Sequence, residues 1–312
     1  MVSCLYVALA GGVGAARFLE GLIRVILQRN ITIIGNVGDD VEFYGLHVSP
    51  DLDIVAYTLA GLVDPAKGWG FRGDTFHCQG LMERYGYKTW FNLGDRDLAT
   101  HLFRTEQLRR GERLSSVTAA IVSRLGLGVK LLPASDDQIT THVLTSKRQM
   151  HFQEYMVKRK TRPRVRGVVF KGSKSARPTR HVVESIMKAE GIIVCPSNPI
   201  VSIGAILAVN GIRLALRKTK ARVVAVSPII GGKTVKGPAD KLMKAMGVEA
   251  SAFGVAHYYR DFLDALIIDD IDESLAPRIQ SLGIKPITNQ TLMKNMPDKI
   301  RLARIVISEF KN

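Results

Sequence analysis

Short runs of Val, Ile and Leu recur at Leu5 to Leu9, Ile31 to Ile34, Val165 to Phe170, Gly191 to Cys195, Arg222 to Val226 and Leu266 to Ile268, and helical patterns lie between them. Alternation of this kind constrains the chain to βαβ crossovers: an α/β fold whose mostly parallel sheet is flanked by helices. Ala15 to Gln28 carries apolar residues at helical spacing, Pro178 to Ala189 opens with Pro and Thr as helix starts often do, and Lys299 to Phe310 repeats the pattern. From roughly residue 53 to 160 the strand signal fades and helix-like segments such as Asp97 to Arg109 and Leu114 to Leu125 dominate, which predicts a helical insertion over the sheet's edge. Without a Gly/Ser linker, low-complexity tract or repeat, residues 1–312 read as a single α/β domain.

In open α/β sheets, ligands bind beyond the carboxyl ends of the strands, so the residues after each strand carry the functional information. The first strand runs into Gly11-Gly12-Val13-Gly14-Ala15-Ala16-Arg17, where glycines permit close backbone approach and a helix start favours an anion. Arg17 stands where a full GxGxxG would have its last Gly, and no Gly-Lys-Ser/Thr follows, which weighs against a nicotinamide dehydrogenase or a P-loop NTPase. The second strand leads to Asp39-Asp40, then to Asp51 and Asp53. Two acidic pairs after one strand suit magnesium held by one or two carboxylates plus substrate phosphate oxygens, with Asp39, Asp40 and Asp51 as candidate ligands. Helix capping is the competing role for Asp51 or Asp53.

Gly94-Asp95-Arg96-Asp97 reads first as a helix cap, and Trp69, Phe71 and Phe76 as a candidate slot for a flat ligand. Later strands run into Pro196-Ser197-Asn198-Pro199 and into the Gly/Pro-rich stretch from Ser227 to Lys241, two loops suited to nucleotide phosphates, with Lys233 and Lys236 as point charges. No GxSxG elbow accompanies them, which disfavours a hydrolase.

The formal charge of +16 calls for an anionic partner, yet only Lys158 to Arg166 is dense in basic residues and no nucleic-acid signature surrounds it, so it reads as a solvated loop. Nucleic acid is therefore not the expected partner. The longest apolar stretches are too short to cross a bilayer and no signal-peptide pattern opens the chain, so a cytoplasmic protein without membrane association is expected. Cys4, Cys78 and Cys195 lack any pairing that a zinc site or disulfide framework needs and read as small core residues.

Taken in order, Gly11 to Gly14, Ser49-Pro50-Asp51-Leu52-Asp53, Gly73-Asp74-Thr75-Phe76, Gly94 to His101, Ser135-Asp136-Asp137, Pro196 to Pro199, Val226 to Gly231, Gly237-Pro238-Ala239 and Gly254 to Asp264 resemble the 2-phospho-L-lactate transferases of coenzyme F-420 biosynthesis over nearly the whole chain. The resemblance implies a Rossmann-like core and a magnesium-dependent reaction. In it, the ribityl hydroxyl of 7,8-didemethyl-8-hydroxy-5-deazariboflavin attacks lactyl-2-diphospho-5'-guanosine, or a phosphoenolpyruvyl-type donor, giving coenzyme F-420-0 and GMP. It points to Asp53 at the deazaflavin acceptor, where Asp74 is a further candidate, and in-line attack would then have Asp53 or its neighbour Asp51 assist the hydroxyl. Asn92 stands where a Lys is common, with Lys88 as a possible substitute. The guanosine donor would fall to Gly11, Gly12, Gly14, Ser197, Asn198, Gly231 and Gly232. A homodimer is also implied. The alternative is a nucleotide-sugar-binding regulatory protein of related fold, which would not need the blocks around Asp53, Asp74 and Asp95.

Overall fold

The computed structural model describes residues 5–311. Its centre is a seven-stranded sheet, all parallel, in the order Lys285–Thr288, Ala265–Ile268, Arg222–Val226, Gly191–Val194, β1 (Tyr6–Ala10), β2 (Ile31–Gly35), Lys130–Pro133. The fold is α/β and Rossmann-like, with helices on both faces. The central strands are buried along their whole length, which is why they read as continuous apolar runs without alternation. Each fully buried Leu or Ile contributes about 1.5–3 kcal/mol of transfer free energy.

The chain winds outward from β1 in two directions, first through β2 to Lys130–Pro133 and then through Gly191–Val194 to Lys285–Thr288. The loops after β1 and Gly191–Val194 therefore diverge and leave a crevice at the switch point.

Several sequence expectations change in detail. Val165–Lys171 is a strand, but it pairs antiparallel with Thr140–Thr145 in a separate three-stranded sheet rather than joining the parallel one. The edge strands Lys130–Pro133 and Lys285–Thr288 were not foreseen, since each is only four residues long and contains a Pro, which an edge tolerates. The stretch from 53 to 160 does contain the helices His77–Arg84, Asp95–Arg109 and Leu114–Arg124, yet it is not helical throughout. Lys130–Pro133 returns to the main sheet within it, and Thr140–Thr145 and Gln149–His151 are strands. The first helix, α1 (Gly12–Leu22), starts on the glycine loop itself and ends six residues before Gln28.

Cys195 is buried and its thiol pKa is raised by that burial, as a core residue's would be, whereas Cys78 is exposed. Cys4 lies outside the described residues. All four arginines and lysines from Lys158 to Arg162 face solvent, and Lys158 lies over the Trp90 ring. Among the described residues no single helix is long and apolar enough to cross a membrane.

The last helix, Met296–Ser308, packs across α1. Asn295 and Asp298 form a capping box at its start, the Asn295 Oδ1 accepting from the Asp298 amide at 3.0 Å. Gly21 makes the crossing possible: a Cβ there would meet the Lys299 carbonyl oxygen at 2.4 Å. Gly21→Ala is therefore expected to destabilise the protein by about 1–3 kcal/mol in urea unfolding, by forcing the two helices apart. Unchanged stability would show that the helices do not need this contact.

Candidate active site

The crevice at the switch point opens into a cleft of about 550 Å³. It is walled by residues after β1, β2, Gly191–Val194, Arg222–Val226 and Lys285–Thr288, with Trp69, Phe91, Phe152 and Met156 as its apolar faces. A second depression of about 570 Å³ lies at the amino end of the Arg222–Val226 strand. It sits on the wrong edge of the sheet for a ligand that needs the loops after the strands.

Glycines on the first loop let three protein segments meet. A Cβ on Gly11 would stand 2.7 Å from an Asp51 carboxylate oxygen and 2.8 Å from the Ser202 Cβ, and one on Gly14 would stand 2.2 Å from the Pro196 carbonyl oxygen. Gly12 has φ +72°, which side chains rarely adopt. The loop amides are partly spoken for: Gly11 N–H donates to Ser197 Oγ at 3.4 Å, and the Gly12 amide donates to Asp51.

Asp51 sits in the first turn of α2 (Pro50–Leu59), close to Asp39 from the loop after β2; both are buried and both line the cleft. Asn36 Nδ2 donates to Asp51 Oδ2 at 2.8 Å, and the same side chain's Oδ1 accepts from the Gly38 amide at 2.8 Å. Burial, then the charges of Asp51 and Asp40, hold the Asp39 carboxyl well above the usual range. Asp51 is pushed up to about 6, first by burial and also by the Asp40 charge, against the opposing hydrogen bonds from Asn36 and Gly12. Asp39 Oδ1 is buried with no hydrogen-bond partner. A buried carboxylate pair with an orphaned oxygen fits a divalent cation, which would relieve both the desolvation and the repulsion.

Among the described residues no group of three acidic, His or Cys side chains is placed to hold a metal ion, so a bound cation would take Asp39 and Asp51 from the protein and substrate or water oxygens for the rest. Asp40, also raised by burial, gives its Oδ2 to His47 Nε2 at 3.0 Å and Ser49 Oγ at 2.7 Å; its Oδ1 is buried without a partner like that of Asp39, but Asp40 does not line the cleft.

The other expected acceptor residues separate. Asp53 is buried in a two-pronged ion pair with Arg104 (Nη1 to Oδ2 3.1 Å, Nη2 to Oδ1), which ties α2 to the helix Asp95–Arg109. His101 Nε2 lies 3.3 Å from Asp97, which accepts from the Tyr57 hydroxyl at 2.8 Å. Asp53 is not among the cleft's lining residues. Asp74 accepts from the Arg96 amide at 2.8 Å and so caps Asp95–Arg109, while Asp95 accepts from the His77 and Cys78 amides at 3.0 Å and caps His77–Arg84. Asn92 lines the cleft, its Oδ1 accepting from Gln79 Nε2 at 3.2 Å; Lys88 is exposed and outside it. Of the expected aromatic slot only Trp69 reaches the cleft, since Phe71 packs on Tyr57 at 4.3 Å between centroids and Phe76 stands beside Lys67.

On the donor side Gly11, Gly12, Gly14, Ser197 and Asn198 all line the cleft. Asn198 Oδ1 is engaged by the Ile200 and Val201 amides at 3.0 and 3.3 Å, leaving its Nδ2 for a ligand. Gly231 and Gly232 are instead the turn of the hairpin joining Ile229–Ile230 to Lys233–Thr234, at φ +56° and +73°. The Gly231 amide donates to Asp272 at 3.1 Å, and the neighbours Ile230, Thr234, Val235 and Lys236 face the cleft in its place. Sequence reading passed over Thr291, Leu292 and Met293, which follow an unread edge strand, and Arg17, noticed only as a break in a glycine motif.

A sequence model of the family described as 2-phospho-L-lactate transferase CofD matches residues 6–302. A protein named phosphoenolpyruvate transferase from Kitasatospora aureofaciens is 45% identical over 309 residues, covering 97% of this chain and 96% of that one. A protein named 2-phospho-L-lactate transferase from Methanosarcina mazei is 39% identical over 301 residues, covering 96% and 99%. Among solved structures, a member of the UPF0052 family from Bacillus halodurans aligns with a TM-score of 0.66 at 17% identity, over 98% of this chain and 99% of that one, a likeness of fold.

Two measurements test the electrostatics. An aspartate titrates near 3.9 when unfolded and Asp51 near 6 when folded, so between those values the native state holds the extra proton. Its stabilising contribution is present below about pH 4 and lost as pH rises through about 6, a change on the order of 3 kcal/mol. Asp51→Asn is thus expected to raise the melting temperature of the cation-free protein at pH 8 but not at pH 4, and to blunt stabilisation by millimolar magnesium. A variant no more stable than the parent at pH 8 contradicts the repulsion. Arg104→Met, which strands the Asp53 charge, is expected to cost about 3–5 kcal/mol in denaturant unfolding, much of it recovered by Asp53→Leu in the same chain. Equal instability of single and double variants would mean that the pair contributes by packing alone.

Proposed function

The chain belongs to the CofD family of 2-phospho-L-lactate transferases and is a transferase, and from that premise we propose that it moves a phosphoenolpyruvyl or 2-phospholactyl group from a guanosine diphosphate-linked donor to the ribityl hydroxyl of 7,8-didemethyl-8-hydroxy-5-deazariboflavin, releasing GMP. The observation that carries this reading is the buried Asp39–Asp51 pair, with an orphaned oxygen, at the switch-point cleft beside the first turn of α1. Transfer of a phosphate-linked group depends on positioning and charge stabilisation rather than on a protein nucleophile. The cleft suits that demand: Cys195 is buried with a raised thiol pKa, and Ser197 Oγ is occupied in accepting from the Gly11 amide.

Asp39 and Asp51 are the residues that would hold magnesium, which when bound supplies charge neutralisation at the reacting phosphate. Ser197, Asn198 and the free amides of Val13 and Gly14 face the donor. Trp69, Phe91 and Phe152 offer ring faces to a planar acceptor, and Asn92 offers a polar group. Asp53 acts through Arg104 by fixing the turn of α2 that carries Asp51, two residues before it. The phosphoenolpyruvyl donor is favoured because the relatives of higher identity carry that activity in their names. The nucleotide-sugar-binding alternative loses support with the family assignment, since the UPF0052 likeness concerns fold only.

Purified protein mixed with magnesium, the deazaflavin and each candidate donor is expected to release GMP and give a phosphoenolpyruvyl adduct by mass. Asp39→Asn and Asp51→Asn are each expected to lower kcat by roughly two to three orders of magnitude. No adduct from any donor, together with tight binding of a nucleotide sugar, would replace this reading with the regulatory one.

A further inference from the structure

Two cations line the cleft: Arg17, which nothing above assigns, and Lys236, read above only as a point charge on a phosphate loop; Lys233, read with it, does not line the cleft. Arg17 and Lys236 are the only basic side chains lining it among the described residues, and no ion pair joins either to a carboxylate there. Arg17 donates from Nη2 to the Met293 carbonyl, and Lys236 Nζ stands 3.5 Å from the Lys67 carbonyl oxygen. Main-chain oxygens hold both side chains without cancelling their charge.

Both cations gather over the first turn of α1. Arg17 follows Val13 by four residues and Gly14 by three, and helical side chains lean toward the amino end, so its guanidinium returns over that turn. Lys236 reaches the same place from the loop after the hairpin. The point where a Gly68 Cβ would sit is 3.5 Å from Lys236 Nζ and 3.9 Å from Val13 Cγ1. The two charges feel each other: burial first, and the Arg17 charge next, lower the Lys236 ammonium from its usual range.

Besides the polar groups named above, Ser197, Asn198 and the amides of Val13 and Gly14, an anion entering here meets no other charge of opposite sign among the residues that line the cleft. The Gly11 and Gly12 amides are engaged by Ser197 and Asp51, and the carboxylates Asp39 and Asp51 repel a phosphate that comes without a cation. We infer that Arg17 and Lys236 together bind the nucleotide-side phosphate of the donor, the one that departs as part of the nucleoside monophosphate. The assignment rests on the transferase reading for the identity of the leaving group. In that reaction the acceptor hydroxyl oxygen forms a bond to the outer phosphorus and the bond from that phosphorus to the bridging oxygen breaks. The electron pair stays on the bridging oxygen, which leaves as a phosphate oxygen of GMP, and the hydroxyl proton passes to solvent. The new negative charge therefore falls on the group that the two cations hold, so they stabilise the departing phosphate more than the bound donor.

Calorimetric titration with GDP and with GMP, in magnesium, tests the subsite without turnover. In Lys236→Gln and in Arg17→Gln the Kd of both nucleotides is expected to rise about tenfold or more and by a similar factor, the size of one lost charge-assisted hydrogen bond. Lys236→Arg is expected to stay within about threefold of the parent. Lys236 is exposed, so its variants keep the test open should Arg17→Gln fail to fold. Nucleotide affinities within twofold of the parent in Lys236→Gln overturn the inference, as does a parent that binds neither nucleotide at millimolar concentration. A rise only in the donor's KM, with GDP and GMP affinity unchanged, also overturns it, because the cations would then read the acyl end. Lys236-dependent GDP binding without turnover on any donor would keep the subsite and sink the transferase reading.

Discussion

Two carboxylates that repel one another, Asp39 and Asp51, are held together, both buried, in the wall of the cleft, and much of the surrounding architecture follows from that. Gly11 has to be a glycine because Asp51 leaves no room for a Cβ, Asn36 has to face both Asp51 and its own turn, and α1 has to begin where its Gly12 amide can reach Asp51. Proteins retain such an arrangement where function needs it, at a standing cost in stability. The cleft is thus electrically divided, with acids after β2 and in the first turn of α2, and unneutralised cations over the first turn of α1.

Asp53 shows how a charge two residues from the site serves a different end. Its ion pair with the fully buried Arg104 joins the helix that carries Asp51 to the helix Asp95–Arg109, and His101, Asp97 and Tyr57 extend the polar contacts inward. Removing either partner would leave a buried charge uncompensated. The turn bearing Asp51 is anchored on one side by the Arg104 ion pair and on the other by Asn36, buried after β2.

The central strands were legible because burial on both faces writes them as uninterrupted apolar runs, and the loops after them announced Gly11, Asp39, Asp51, Ser197 and Asn198. The edges were not, because Lys130–Pro133 and Lys285–Thr288 are four residues long and carry Lys and Pro, and the second buries no residue fully, so nothing in the sequence marks the Thr291 to Met293 wall beyond it. Periodicity marked Val165–Lys171 as a strand but cannot name its partner. Acidic residues were the hardest to place. Sequence shows the charge of Asp53 and Asp74 but not the Arg104 guanidinium 51 positions away or the helix amides that satisfy them. Gly231 and Gly232 resembled a phosphate cradle, yet their positive φ is spent on a two-residue hairpin turn.

The exchange of caps between Asp74 and Asp95 makes neither helix self-sufficient: His77–Arg84 begins on an aspartate that belongs to its neighbour, and Asp95–Arg109 begins on one that precedes His77. No residue of His77–Arg84 is buried, so packing contributes little to holding it in place. Its order is borrowed through two carboxylates, whereas the loop between the helices, which presents Phe91 and Asn92 to the cleft, is held by the buried Leu93 and by Phe91 stacked on Phe43 at 4.5 Å. The two ends of this segment are therefore held by different physics, so a lost cap would loosen His77–Arg84 before it displaced the ring that faces a ligand.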